Sequence, residues 1–109
     1  MIVTMPQSEQ VILNSIKEAV LEIIPDAAVI LFGSRARKDA WEESDWDILI
    51  LTDLQVNEQF KRKVRDRLFY EELDKEICIS SLIFNKKEWN EKFNRYPLFF
   101  EIKKEGITV

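Results

Sequence analysis

Two short apolar runs constrain this chain more than any other feature. They are Ala27-Ala28-Val29-Ile30-Leu31-Phe32 and Trp46-Asp47-Ile48-Leu49-Ile50-Leu51, separated only by residues 33–45. Runs this short, with β-branched centres, predict buried strands rather than helices. What lies at their facing ends is polar. The first run stops at Gly33-Ser34, and the second is entered through Asp45-Trp46-Asp47. Gly33 permits a sharp turn, and Ser34 can cap a short helix reaching about Trp41.

The rest of the chain falls into place around these strands. Ser8 to Ile24 reads as an amphipathic helix, with Ile12, Ile16, Ala19, Val20 and Ile23 at helical spacing and Pro25 as its stop. Val56 to Asp74 reads as a long helix with Val56, Phe60, Val64 and Leu68 four apart. Ile77 to Phe84 is a third strand, with Cys78 expected as a small core residue. Asn85 and Glu88 fit a capping box for a helix that carries Trp89 and Phe93 inward. Pro97 interrupts that helix, and Leu98, Phe99, Phe100 and Ile102 give a last amphipathic segment ended by Gly106. Adjacent Phe99 and Phe100 cannot both face one core, so one of them marks a surface for a partner or a second copy. The order α-β-α-β-α-β-α-α predicts a small α/β (α+β) domain. Its sheet has three strands, or slightly more if a short terminal strand joins.

A chain of 109 residues fits one small domain, 1–109, with little room for a separate substrate domain. Its net charge of −4 makes nucleic acid an unlikely stable partner. Histidine is absent, which excludes Ser-His and Cys-His catalysis and His-ligated zinc within the chain. A metal here must be held by oxygen, which points to Mg²⁺ or Mn²⁺. One cysteine cannot form an internal disulfide and fits a reducing compartment. Met1–Pro6 lacks the character of a signal peptide, and no apolar run approaches the roughly 20 residues of a membrane span. The expected setting is cytoplasmic, with no membrane partner.

The chemistry concentrates between Gly33 and Asp47. Asp45 and Asp47 are two apart at a strand start, so both carboxylates point to one face. Side by side they repel, and a divalent cation is their natural partner. The Gly33-Ser34 turn favours an anion such as phosphate, with the Ser34 hydroxyl adding a hydrogen bond and Arg35 or Arg37 a charged fork. Ten intervening residues allow a short helix and a return to the sheet, which would set the anion site beside the carboxylates. A triphosphate with its metal needs both halves.

This G-S-x10-D-x-D pattern resembles the DNA polymerase β-type nucleotidyltransferase superfamily, and in particular its minimal prokaryotic members. The resemblance extends to the order of elements and to the segment from Pro97 to Ile107. It implies Gly33, Ser34 and Arg35 at the nucleotide, with Asp45 and Asp47 as catalytic metal ligands. It implies a nucleoside triphosphate, ATP favoured, and transfer of AMP to a protein or small acceptor. It also implies a small helical HEPN-type protein as partner, in some cases in a toxin–antitoxin pair.

The sequence departs from that pattern in two places. A third carboxylate is expected in the strand after the long helix, where Ser80 and Ser81 stand instead. Glu76 shares a face with Cys78 and Ser80 by alternation, but sits roughly 13 Å along the strand from Ser80. Lys38 stands where many relatives carry glycine. Two readings follow: a nucleotidyltransferase with altered transfer, or a module that binds nucleotide or a partner without turnover. A two-metal nuclease would also use carboxylates but has no need of the Gly-Ser turn.

Overall fold

The structure, a computed structural model, describes residues 7–109. The expectation about Met1–Pro6 lies outside them. Helix α1 is Gln7–Ile23, strand β1 Ala28–Phe32, helix α2 Ser34–Arg37 and strand β2 Trp46–Thr52. Helix α3 is Glu58–Lys75, strand β3 Ile79–Asn85, helix α4 Lys86–Lys92, helix α5 Pro97–Glu105 and strand β4 Ile107–Thr108. The fold is α+β, and the short terminal strand does join the sheet.

The sheet order is β3-β2-β1-β4. β1 runs antiparallel to β2 and to β4, while β2 and β3 are parallel and connected through α3. β2 lies between two partners and is covered on both faces, which is why its run is apolar at nearly every position. Ile16, Ala19 and Val20 of α1, and Val64 and Leu68 of α3, pack on one face against Val29, Leu31, Trp46, Ile48, Ile50 and Ile83. The other face carries Phe32, Leu49 and Leu51, covered by Trp89 of α4 and Ile102 of α5. Alternation along β2 therefore separates Trp46, Ile48 and Ile50 from Asp47, Leu49 and Leu51.

Local chemistry sets the ends of the elements. Asn57 caps α3 by accepting from the Phe60 N–H at 2.8 Å. Asn85 caps α4 by accepting from the N–H groups of Lys87 and Glu88 at 3.0 and 3.2 Å. Pro97 starts α5 rather than ending α4, at a position where the missing N–H costs nothing. Thr52, a buried polar residue, donates its hydroxyl to Asp26 at 2.8 Å.

The structure corrects several expectations, among them the start of the long helix, which is Glu58 rather than Val56. Cys78 is exposed, because β3 begins at Ile79 and the cysteine lies in the loop before it. The helix after Gly33 ends at Arg37 rather than near Trp41. Lys38 turns left-handed there, with φ 66°, and its N–H donates to the Ser34 carbonyl. A side chain in that conformation costs about 1 kcal/mol or more. Lys38→Gly is expected to raise stability by about 1 kcal/mol, a gain readable in urea unfolding. A lower midpoint would show that the lysine side chain contributes contacts outweighing its backbone strain.

Candidate active site

The close approach of two loops builds the site. In the antiparallel register Phe32 faces Asp47, and in the parallel register Asp47 faces Ser80. These three side chains share one row on the α4–α5 face. One residue beyond Phe32 the backbone turns at Gly33, with φ 75° and ψ −157°. A Cβ built on Gly33 would stand 2.1 Å from Asp47 Oδ2 and 3.0 Å from its Cγ. The glycine backbone is thus pressed against the carboxylate, and nothing larger fits between them.

The one-turn helix α2 grows out of that contact. The N–H groups of Ala36 and Arg37 both donate to the Gly33 carbonyl at 3.1 Å. The amides of Ser34 and Arg35 precede the first internal bond of the turn. Ser34 is the first residue of the turn, and Gly33 takes the cap position expected for the serine. The turn and the Asp45–Asp47 pair are therefore adjacent.

Electrostatics at Asp47 tell the same story. Burial, first, and the neighbouring Asp45 charge, second, push the Asp47 carboxyl above its ordinary range. Arg37 acts against that rise and Glu101 adds to it, so both lie close enough to be felt. Two carboxylates of which one is held reluctantly as an anion make an all-oxygen donor set suited to a divalent cation. Among the described residues no group of three acidic, cysteine or histidine side chains stands together as a metal site. The chain supplies a pair. In the third position, beside Asp47, is Ser80. Glu76 is elsewhere: it lines a recess of about 570 Å³ with Glu42, Glu43, Ser44 and Cys78 beyond the strand ends.

Arg35 has a task that its sequence position does not announce. Its Nε and Nη2 donate to the Ser44 carbonyl at 3.1 and 2.8 Å, and Nη2 also donates to the Glu42 carbonyl at 3.0 Å. Its guanidinium lies 4.3 Å over the Trp46 ring and pairs with Glu9 at 3.6 Å. Arg35 thus braces the loop that delivers Asp45. Trp46 is buried as expected, 1% exposed, whereas Trp41 is 82% exposed. Arg37, by contrast, reaches α5, donating to Glu101 at 3.1 Å and Glu105 at 3.4 Å. Sequence reasoning gave Arg37 second place to Arg35. The partners of both lie at sequence distances that carry no pattern.

Gly33→Ala is expected to destabilise the protein by roughly 2 kcal/mol, because φ is positive and the new methyl displaces the Asp47 carboxylate. Unfolding in urea reads the first effect. Loss of any Mg²⁺-dependent rise in melting temperature reads the second. An alanine variant with the parent's stability would refute the close approach.

The comparisons with known proteins accord with this geometry. The nucleotidyltransferase domain family matches residues 13–104. A protein of Methanocaldococcus jannaschii, provisionally named as a protein adenylyltransferase, is 38% identical over 77 residues, covering 69% of this chain and 78% of its own length. A solved structure described as a toxin-antitoxin with AMP-PNP shares the fold, with a TM-score of 0.62 at 15% identity over 87% of this chain and 69% of that one. The family match runs from within α1 to the last turn of α5 and takes in both halves of the site, and the chain belongs to the nucleotidyltransferase domain family.

Proposed function

We propose that this domain uses a Mg²⁺-bound (or Mn²⁺-bound) nucleoside triphosphate to transfer a nucleoside monophosphate to a protein or small acceptor. ATP is the favoured donor and AMP the group moved. The observation that carries this reading is the contact of the Gly33 backbone with the Asp47 carboxylate. It makes an anion-binding turn and a cation-binding pair into one site. The name of the archaeal relative supports adenylyl transfer, and the described toxin–antitoxin complex supports a partner protein. A HEPN-type helical protein is the proposed partner, and the setting is cytoplasmic.

Each residue then has a role. Gly33 lets the triphosphate approach the backbone, and Ser34 donates its hydroxyl to a phosphate oxygen. Arg35 is the expected charged fork at the triphosphate, and Arg37, on the same turn, is a second donor that would add to it. Asp45 and Asp47 would hold the cation, which when bound neutralises charge on the carboxylates and the triphosphate. An acceptor hydroxyl oxygen forms a bond to the α-phosphorus and gives its proton to solvent, the bond from that phosphorus to the bridging oxygen breaks, and pyrophosphate leaves with the electron pair. Arg35 keeps Asp45 in place by fixing the Ser44 and Glu42 carbonyls.

A second reading rests on Ser80. With a hydroxyl beside Asp47, no carboxylate stands where it would receive the acceptor's proton. A module that binds nucleotide and a partner without turnover fits that absence. ATP labelled at its α-phosphate, offered with Mg²⁺ and the protein encoded by the neighbouring gene, separates the two readings. Label moving to the acceptor supports transfer. Mg²⁺-dependent ATP binding in calorimetry with no label moved supports the second reading, and no binding at all defeats both.

A further inference from the structure

Helix α5 covers the face that carries Asp47 through a small apolar contact. Of its nine residues Ile102 is buried, while Leu98 and Phe100 face solvent. Beside it lies a groove of about 320 Å³, open to solvent, with Leu49, Trp89, Phe99, Ile102, Lys103 and Thr108 among its walls. Phe99, half-buried against Trp89 at 5.4 Å between ring centroids, is the helix's other apolar contact, so α5 rests on two side chains beside an open groove, a smaller seat than those of α1 and α3.

Charge ties its other edge. Arg37 Nη1 donates to Glu101 Oε1 at 3.1 Å and to Glu105 Oε2 at 3.4 Å. The two glutamates are four residues apart, so they project from one side of α5. Arg37 also pairs with Asp39 at 3.2 Å. Three carboxylates therefore surround one guanidinium, and this guanidinium belongs to the turn that begins at Gly33. Ion pairs as exposed as these are weak individually and exchange readily for a stronger anion.

We propose that α5 is a latch, closed by Glu101 and Glu105 on Arg37 and opened when a polyphosphate takes Arg37 from them. This inference rests on the reading of Gly33–Arg37 as the triphosphate turn. A triphosphate at that turn carries more charge than the two glutamates and offers oxygens to the same fork of donors. Once it is seated, Glu101 and Glu105 lose their partner and face an anion. The repulsion lifts α5 from the face that carries Leu49 and Trp89. The ligand shifts the latch only because it binds the open form better than the closed one.

Amide hydrogen exchange over residues 98–105, measured with and without inorganic tripolyphosphate in Mg²⁺, tests the latch. Calorimetry on the same samples reports binding. In the parent, tripolyphosphate is expected to speed exchange in α5. In the Glu101→Gln/Glu105→Gln double variant α5 should exchange rapidly from the start and respond no further. That variant should also bind tripolyphosphate about fivefold more tightly. Simple removal of negative charge would tighten binding too, but it would not speed exchange in the parent. Binding with unchanged or slowed exchange overturns the latch and leaves the triphosphate reading standing. Absence of binding overturns both.

Discussion

Asp47→Asn is expected to lower nucleotidyl transfer by at least about a thousandfold, a loss of several kcal/mol of transition-state stabilisation. The same variant should be as stable as the parent, or more so, when no divalent cation is present. The sign follows from the raised carboxyl of Asp47, whose first cause is burial and second the Asp45 charge. A group whose pKa is higher in the folded state adds stability below its ordinary pKa. That contribution is lost as pH rises through the folded value. At neutral pH the ionised Asp47 therefore opposes folding, and an uncharged amide of the same shape relieves the opposition. Mg²⁺ should raise the melting temperature of the parent and leave the variant unchanged. Melting curves at pH 4 and pH 7 check the point: the advantage of Asp47→Asn should shrink toward the acid side. A variant that melts well below the parent at pH 7 would show that the carboxylate serves the fold, not a ligand.

Ser80→Asp is expected to act in the opposite direction on activity. Ser80 is the parallel register partner of Asp47, so a carboxylate there stands beside Asp47 on one face. If the missing base limits turnover, transfer should rise on the order of 100-fold. Stability without metal should fall, since a third negative charge joins a pair that already repels, and Mg²⁺ should restore it. Initial rates with labelled ATP, paired with melting curves, give both readings. Restored metal binding with no gain in rate would mean that the acceptor or its protein supplies the base.

The frame of the site was legible because its signals are local. The two apolar runs marked β1 and β2, and four-residue spacing of Val64 and Leu68 marked the buried stripe of α3. Asn85 announced the start of α4 through a side chain three residues from the N–H it serves. Strand alternation predicts Asp45 and Asp47 on one side; in the structure Asp47 is in β2 and Asp45 stands just before it, close enough for its charge to raise the Asp47 carboxyl. The third position was narrower in the structure than in the sequence. Ser80 and Ser81 stood equally at mid-strand until the register paired Asp47 with Ser80.

What escaped depends on contacts between residues far apart, or on backbone atoms. Arg35 braces its loop through the carbonyls of Glu42 and Ser44, and a carbonyl carries no residue signature. The junction of Arg37 with Glu101 joins residues 64 apart, with no periodicity to reveal it. Cys78 lies in an apolar stretch, but only the parallel pairing to β2 decides that β3 begins one residue later. Lys38 ends α2 against its own backbone preference, so its residue type gave no warning of a left-handed turn.

The placement of Asp47 on β2 bears on how such a protein would age or fail under heat. β2 has a hydrogen-bonded neighbour on each side and side chains packed on each face. Segments enclosed in this way open last, generally only with the whole molecule. Asp47 is thus mounted on the slowest part of the protein to fray, while Asp45 ends the loop that precedes it. Thermal inactivation should coincide with global melting, and proteolytic nicking outside the loop of residues 38–45 should leave Asp47 in place.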